Sequence, residues 1–167
     1  FETFPLAELP AISVTLIIIL MLIGTGPGST GGGIKITTAA IVAGAIRSTL
    51  SGERVVLLFR RKMAPETVLR AFSIIVIFIV MCGFAVMAMQ FFNPGESVEK
   101  NLFETVSALT TTGLSFGVSR QVGLSGKLFI IALMYLGRLG PFTFLLFLMG
   151  REKTDKIQYP TERVIIG

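Results

Sequence analysis

The sequence contains no histidine, a single cysteine, and only 15% charged residues. Without imidazole the chain lacks the commonest general base and a common metal ligand. The one thiol, Cys82, lies inside an apolar stretch, so neither a disulfide framework nor a cysteine metal cluster can form. The shortage of charge excludes more. A soluble domain of this size carries about 25% charged residues, whereas this chain is 52% hydrophobic with a mean hydropathy of +0.79. That balance points to the bilayer as its solvent.

In place of charge the chain has long apolar runs. Residues 69–92, LRAFSIIVIFIVMCGFAVMAMQFF, carry one charge near their start. At 1.5 Å per residue they are long enough to cross about 30 Å of hydrocarbon. Residues 124–149, LSGKLFIIALMYLGRLGPFTFLLFLM, are also long enough. Neither run has the short core and small-residue cleavage site of a signal peptide. The chain begins at Phe1 without an initiator Met and reads as part of a longer polypeptide.

Charge gives the topology. Arg47, Arg54, Arg60, Arg61, Lys62 and Arg70 cluster between the first two apolar runs, and Arg151, Lys153, Lys156 and Arg163 follow the last. Residues 93–123 carry Glu96, Glu99 and Glu104 beside Lys100 and Arg120. The positive-inside rule then places the 49–65 connector and the 151–167 tail in the cytoplasm and residues 93–123 outside, in a multi-pass protein of the cell membrane. The basic pI near 9.8 follows from this asymmetry and implies no nucleic acid.

The first apolar run raises a different problem. Pro10 to Ile23 is only fourteen residues before GTGPGSTGGGIK, Gly24 to Lys35. As a helix it covers roughly 21 Å, too short to cross the membrane. The chain therefore meets its glycines at membrane depth and continues inward through IKITTAAIVAGAI. Irregular backbone at that depth is tolerated only where it packs on protein or lines a watery cavity, as in the broken helices of transporters. Gly26, Gly28 and Gly31 also satisfy G-x-G-x-x-G. A dinucleotide site, however, needs a short strand before the glycines and an acidic residue after the next strand. Here the apolar run is too long, Pro27 interrupts the glycines, and Glu53 precedes VVLLF. An enzymatic reading is set aside on these grounds.

The external segment carries a second signature. Ser97 can cap a short helix over 98–109, with Glu99 near its N-terminus and Leu102, Phe103, Val106 and Leu109 on one face. The segment TTTGLS, residues 110–115, follows. A helix entering from outside directs its partially negative C-terminus into the membrane. An extended Thr110-Thr111-Thr112-Gly113 strand after it would present carbonyl oxygens able to replace a cation's hydration shell.

Two spans also resemble each other. LMLIGT from Leu20 aligns with LMYLGR from Leu133, 113 positions on, and Gly-Pro follows in both. Under this offset the position before Phe1 falls on Gly113, so the chain is expected to start just after another such strand. Arg138 falls opposite Thr25. A charge at mid-span costs about 2.5–3.5 kcal/mol on insertion scales and almost always faces a cavity or partner. The nearest polar company at that depth is the Gly24–Lys35 loop.

Together GPGSTGGGIKITT, SALTTTGLSFG, GRLGP and YPTERVIIG resemble the Trk/Ktr/HKT superfamily of potassium transporters, specifically its Ktr-type membrane subunits. The likeness runs along essentially the whole chain. It implies an all-α membrane fold of four pseudo-symmetric helix–pore-loop–helix repeats around one ion path. Residues 1–48 would be the broken second helix of repeat three. Residues 66–150 would be repeat four, with helices over 66–92 and 124–149, a pore helix over 98–109 and a filter over 110–115.

By the same resemblance Thr110, Thr111, Thr112, Gly113 and Leu114 match the filter strand, with potassium on the carbonyls of Thr111, Thr112 and Gly113. Gly24, Thr25, Gly26, Pro27, Gly28, Ser29, Thr30, Gly31, Gly32, Gly33 and Lys35 match an intramembrane gating loop, and Arg138 matches an arginine that obstructs the path. K+ is the implied cargo, with Na+ the candidate coupling or activating ion and no covalent cofactor. The implied partners are a second copy of the subunit, a cytosolic nucleotide-binding ring of RCK domains, and the lipid bilayer. Thr161 departs from the acidic residue expected in the tail. The alternative function is a secondary transporter of another cation or solute built on a broken helix.

Overall fold

The computed structural model describes residues 6–53, 55–58 and 61–140. A short 3-10 turn, Leu6–Glu8, leads into α1 (Ala11–Leu22) and the glycine loop. Then follow α2 (Ile36–Leu50), a two-residue ladder of β1 (Leu57–Leu58) with β2 (Arg61–Lys62), α3 (Pro65–Phe92), α4 (Val98–Thr110), α5 (Val118–Gln121) and α6 (Leu124–Leu139).

The longest helix, α3, starts at Pro65, whose missing N–H costs nothing in a first turn, and Glu66 sits favourably beside the positive helix end. It runs 28 residues to Asn93 and Pro94. Among the described residues it is the one helix long and apolar enough to cross a membrane alone. Helices α1 and α2, of 12 and 15 residues, are each too short to cross alone, and the glycine loop separates them.

Helix α4 occupies the centre, packed against α1, α3 and α6. The Ser97 hydroxyl accepts from Lys100 N at its start. The sequence pattern anticipates one buried face, but from Phe103 onward α4 is buried on every side. Phe103, Val106 and Leu109 are enclosed, and so are Asn101, Glu104, Thr105, Ser107 and Thr110. The reason is tertiary, because helices distant in sequence surround it. Phe78, Met89, Ile130 and Leu133 close over Leu109 on one side. Val14 and Met21 close over Phe103 and Val106 on the other. Large apolar side chains meanwhile point outward, among them Leu16, Leu20, Ile79, Phe84, Phe91, Leu128 and Ile131. Polar groups inside and hydrocarbon outside invert the usual soluble arrangement.

The enclosed polar groups are satisfied. Asn101, fully buried, donates through Nδ2 to Gln90 Oε1 (2.7 Å) and Asn93 O (3.2 Å), and its Oδ1 accepts from Asn93 Nδ2 (3.3 Å). Among the described residues no buried side-chain nitrogen or oxygen lacks a partner. Asn101→Ala should therefore strand the Gln90 and Asn93 groups and cost about 1–3 kcal/mol. The check is a lowered thermal transition of the purified full polypeptide in detergent.

Two expectations are corrected. The connector 49–65 carries an antiparallel ladder, Leu57 opposite Lys62 and Leu58 opposite Arg61, so the described fold is mostly but not purely helical. This ladder is held where Leu58 packs beside Gly44 of α2. The helix expected over 124–149 stops at Leu139, because Gly140 leaves the helical region at φ +84° and Pro141 follows. Residues 141–167, which include the expected end of that helix and the tail, lie outside the described residues.

Candidate functional site

The glycine loop is closed at its base. Ile23 and Ile34 form a parallel bridge, Gly24 N donates to Ile34 O (2.7 Å), and Ile34 N donates to Leu22 O (3.1 Å). Within the loop, Ser29 Oγ donates to Gly26 O (2.8 Å) and also pairs with the Thr25 hydroxyl. Lys35 folds back, its Nζ donating to Gly31 O (2.6 Å) and Ser29 O (3.2 Å). The ammonium thus takes up two of the loop's own carbonyls. Bare backbone is required at Gly24, where a Cβ would run into Gly32 O, and at Gly33, where φ is +80°. A helix precedes these glycines rather than a strand, so the G-x-G-x-x-G spacing is incidental.

The segment after α4 differs from the expected extended strand at its first residue. Thr110 is still helical and buried, its Oγ1 bonded to Val106 O and to Thr112 Oγ1, each at 2.8 Å. Thr111 then turns left-handed (φ 55°, ψ 31°). The turn is held by Thr111 N on Ala108 O (3.2 Å) and Thr112 N on Ser107 O (3.0 Å). Gly113 follows at φ +84°, which only glycine adopts without strain. No backbone N–H of the described residues reaches the carbonyls of Thr111, Thr112, Gly113 or Leu114. Farther on, Ser115 Oγ lies 2.9 Å from both carboxylate oxygens of Glu104 and accepts from Gly117 N (2.9 Å).

Two elements distant in sequence, the glycine loop and α6, converge on the C-terminal end of α4. The glycine loop reaches it through Gly32, whose N–H donates to Thr111 Oγ1 (2.8 Å) and whose Cβ position lies 2.9 Å from Leu109 O. Helix α6 reaches it through Gly137, where a Cβ would collide with Leu109 O. One residue on, Arg138 Nη1 donates to Thr30 O of the loop (2.7 Å). Between loop and turn lies an open cavity of about 420 Å³, lined by Met21, Gly24, Thr25, Gly32, Thr111 and Thr112 among others. The negative end of the α4 dipole faces this region.

Residues expected in the filter, the loop and Arg138 therefore occupy one neighbourhood. Thr111→Val keeps the shape but removes the acceptor for Gly32 N–H. An unsatisfied donor costs about 1–3 kcal/mol, so residues 24–35 should exchange amide hydrogens faster in this variant. Sequence reasoning missed Gly137 and Glu104. A glycine inside an apolar helix was a signal for the first. A carboxylate beside the apolar face of α4 was a signal for the second.

Buried polar residues on a central helix, a carbonyl-bearing turn and a glycine loop bonded to an arginine thus meet at one place in a mostly helical, apolar-surfaced fold. The chain belongs to the TrkH family of cation transport proteins, whose match covers residues 1–158. Among its relatives is Ktr system potassium uptake protein B of Vibrio alginolyticus, 34% identical over 167 residues, covering 100% of this chain and 36% of the relative. Ktr system potassium uptake protein D of Bacillus subtilis is 34% identical over 166 residues, covering 99% and 36%. Potassium/sodium uptake protein NtpJ of Enterococcus hirae is 33% identical over 157 residues, covering 91% and 35%. The chain thus spans about a third of the length of these curated relatives.

Proposed function

We propose that this chain supplies part of the ion path of a potassium uptake protein, as repeat four and the end of repeat three in a ring of four. The observation that carries the reading is the turn after α4. Its carbonyls at Thr111, Thr112 and Gly113 are unclaimed by backbone donors, and they sit at the negative end of a buried helix. Such carbonyls can take the place of water around a dehydrated cation.

Below the turn, the Gly24–Lys35 loop and Arg138 form the gate. Small residues let the loop rearrange without dragging bulk through a packed interior. The Arg138 charge raises the barrier to a cation until its bond to Thr30 O is released. The relatives' names, Ktr system potassium uptake and potassium/sodium uptake, support K+ as cargo and Na+ as a second ion of the same path. The basic connector and tail face the cytoplasm in this reading. A second copy of the subunit and a cytosolic RCK-type ring are its partners.

The test is growth. A bacterium stripped of its own potassium uptake should grow at low potassium when it makes the full polypeptide carrying these residues. Failure to grow, with the protein present in the membrane, would reject the reading.

A further inference from the structure

Glu104 is a carboxylate without an evident duty. It is 5% exposed, in the part of α4 that is buried all round, and among the described residues no lysine or arginine pairs with it. Burying a charge is costly unless strong hydrogen bonds compensate it. Its described side-chain partner is the Ser115 hydroxyl, 2.9 Å from each oxygen. That hydroxyl in turn accepts the Gly117 N–H at 2.9 Å. The chain of bonds runs from a backbone amide through a hydroxyl to an anion, each donor strengthening the next.

The placement of this relay gives it a use. The turn bearing the carbonyls is anchored at its start by Thr112 N on Ser107 O. Gly113 and Leu114 donate no backbone bond to the described residues, and Gly113 sits in open space at φ +84°. The next tie to the helix is Ser115 on Glu104. The stretch that offers carbonyls to an ion is therefore hydrogen-bonded to the described residues at its two ends, with the Leu114 side chain packed against the Phe103 and Val106 cluster between them. The second end is a charge-assisted bond to a side chain of the helix the turn follows.

We infer that Glu104 is a positioning residue: through Ser115 it fixes the far end of the Thr112–Leu114 carbonyl segment and so sets which cation the segment accepts. Glu104 touches no ion in this arrangement. It acts through the backbone it holds, and the inference rests on the potassium-path reading. A carbonyl cage tuned to a larger dehydrated ion loses discrimination when one edge can relax toward a smaller one. Gln at 104 would keep an acceptor for Ser115 while removing the charge that strengthens the bond.

The test compares potassium and sodium uptake by the full polypeptide in liposomes, as parent, Ser115→Ala, Ser115→Thr and Glu104→Gln. Ser115→Ala changes no residue of α4 but leaves the buried Glu104 carboxylate without its described partner, whereas Glu104→Gln keeps that partner, so Glu104→Gln reports if Ser115→Ala does not fold. Ser115→Ala should lower the potassium-to-sodium preference about tenfold, equivalent to about 1.4 kcal/mol. Ser115→Thr, which keeps the hydroxyl, should restore most of the preference, and Glu104→Gln should fall between. A purely structural role would lower the amount of functional protein and leave the preference of the remainder unchanged. An unchanged preference in Ser115→Ala overturns the inference while the potassium reading stands. A parent protein that moves neither ion overturns the potassium reading itself.

Discussion

The Arg138→Gln variant of the full polypeptide should pass potassium faster than the parent under the same gradient. Arg138 Nη1 is bonded to Thr30 O, which fixes a positive charge against the glycine loop. A unit charge about 6 Å from a passing cation, in an effective dielectric constant near 20, raises the cation's energy by about 3 kcal/mol. Water in an open path weakens this, so we expect a rise of roughly ten- to a hundredfold, each factor of ten being about 1.4 kcal/mol of barrier. Deleting Gly26–Gly31 removes the bonded partner and should act in the same direction. Arg138→Lys separates charge from shape: it keeps the charge and should stay near the parent rate. Tracer uptake into liposomes measures all three. Unchanged uptake in both Arg138→Gln and the loop deletion would sink the gate.

The second large effect concerns packing. At Gly137 a Cβ would collide with Leu109 O, a backbone atom at the enclosed end of α4, so no side-chain rotation can relieve it. The α4–α6 contact is the most extensive in the fold, and Gly137 lets the helices approach closely there. Gly137→Ala must push them apart, at an overpacking cost of about 1–3 kcal/mol. That outweighs the helix-propensity gain of about 1 kcal/mol from removing a glycine. Gly83, in the middle of α3, is the matched control, since nothing lies within 4 Å of its Cβ position. Gly83→Ala should be neutral or mildly stabilising. The thermal transitions of the two purified variants should therefore move apart, with Gly137→Ala several degrees lower and its uptake impaired.

The difference between those two glycines marks what sequence can carry. The break between α1 and α2 follows from composition, because a fourteen-residue apolar run ends in six glycines within ten residues. The start of α4 follows from Ser97, and the start of α3 from Pro65 and Glu66, because caps are local chemistry. The turn at Gly113 is legible because glycine tolerates positive φ. The match of Leu20–Thr25 to Leu133–Arg138 aligns Gly24 with Gly137, yet nothing in it says that each abuts a backbone oxygen. One faces Gly32 O and the other Leu109 O.

Residues that act through distant neighbours were not legible. Periodicity assigns α4 one buried face, while Asn101, Glu104 and Thr105 on its other faces are covered by helices far along the chain. Lys35 reads only as one residue of the gating loop, and its short reach back to Gly31 O, which braces that loop, depends on the fold. The ladder at Leu57–Leu58 and Arg61–Lys62 is two residues wide, too short for alternation to register.

The central claim is that dehydrated potassium rests on the carbonyls of Thr111, Thr112 and Gly113. The most direct measurement is a crystal of the full polypeptide soaked in thallium, a heavy potassium mimic, with the metal located by its anomalous scattering. A site against those three carbonyls, diminished when sodium replaces thallium, is the predicted result. Thallium bound elsewhere in the molecule, with nothing along residues 111–113, would contradict it.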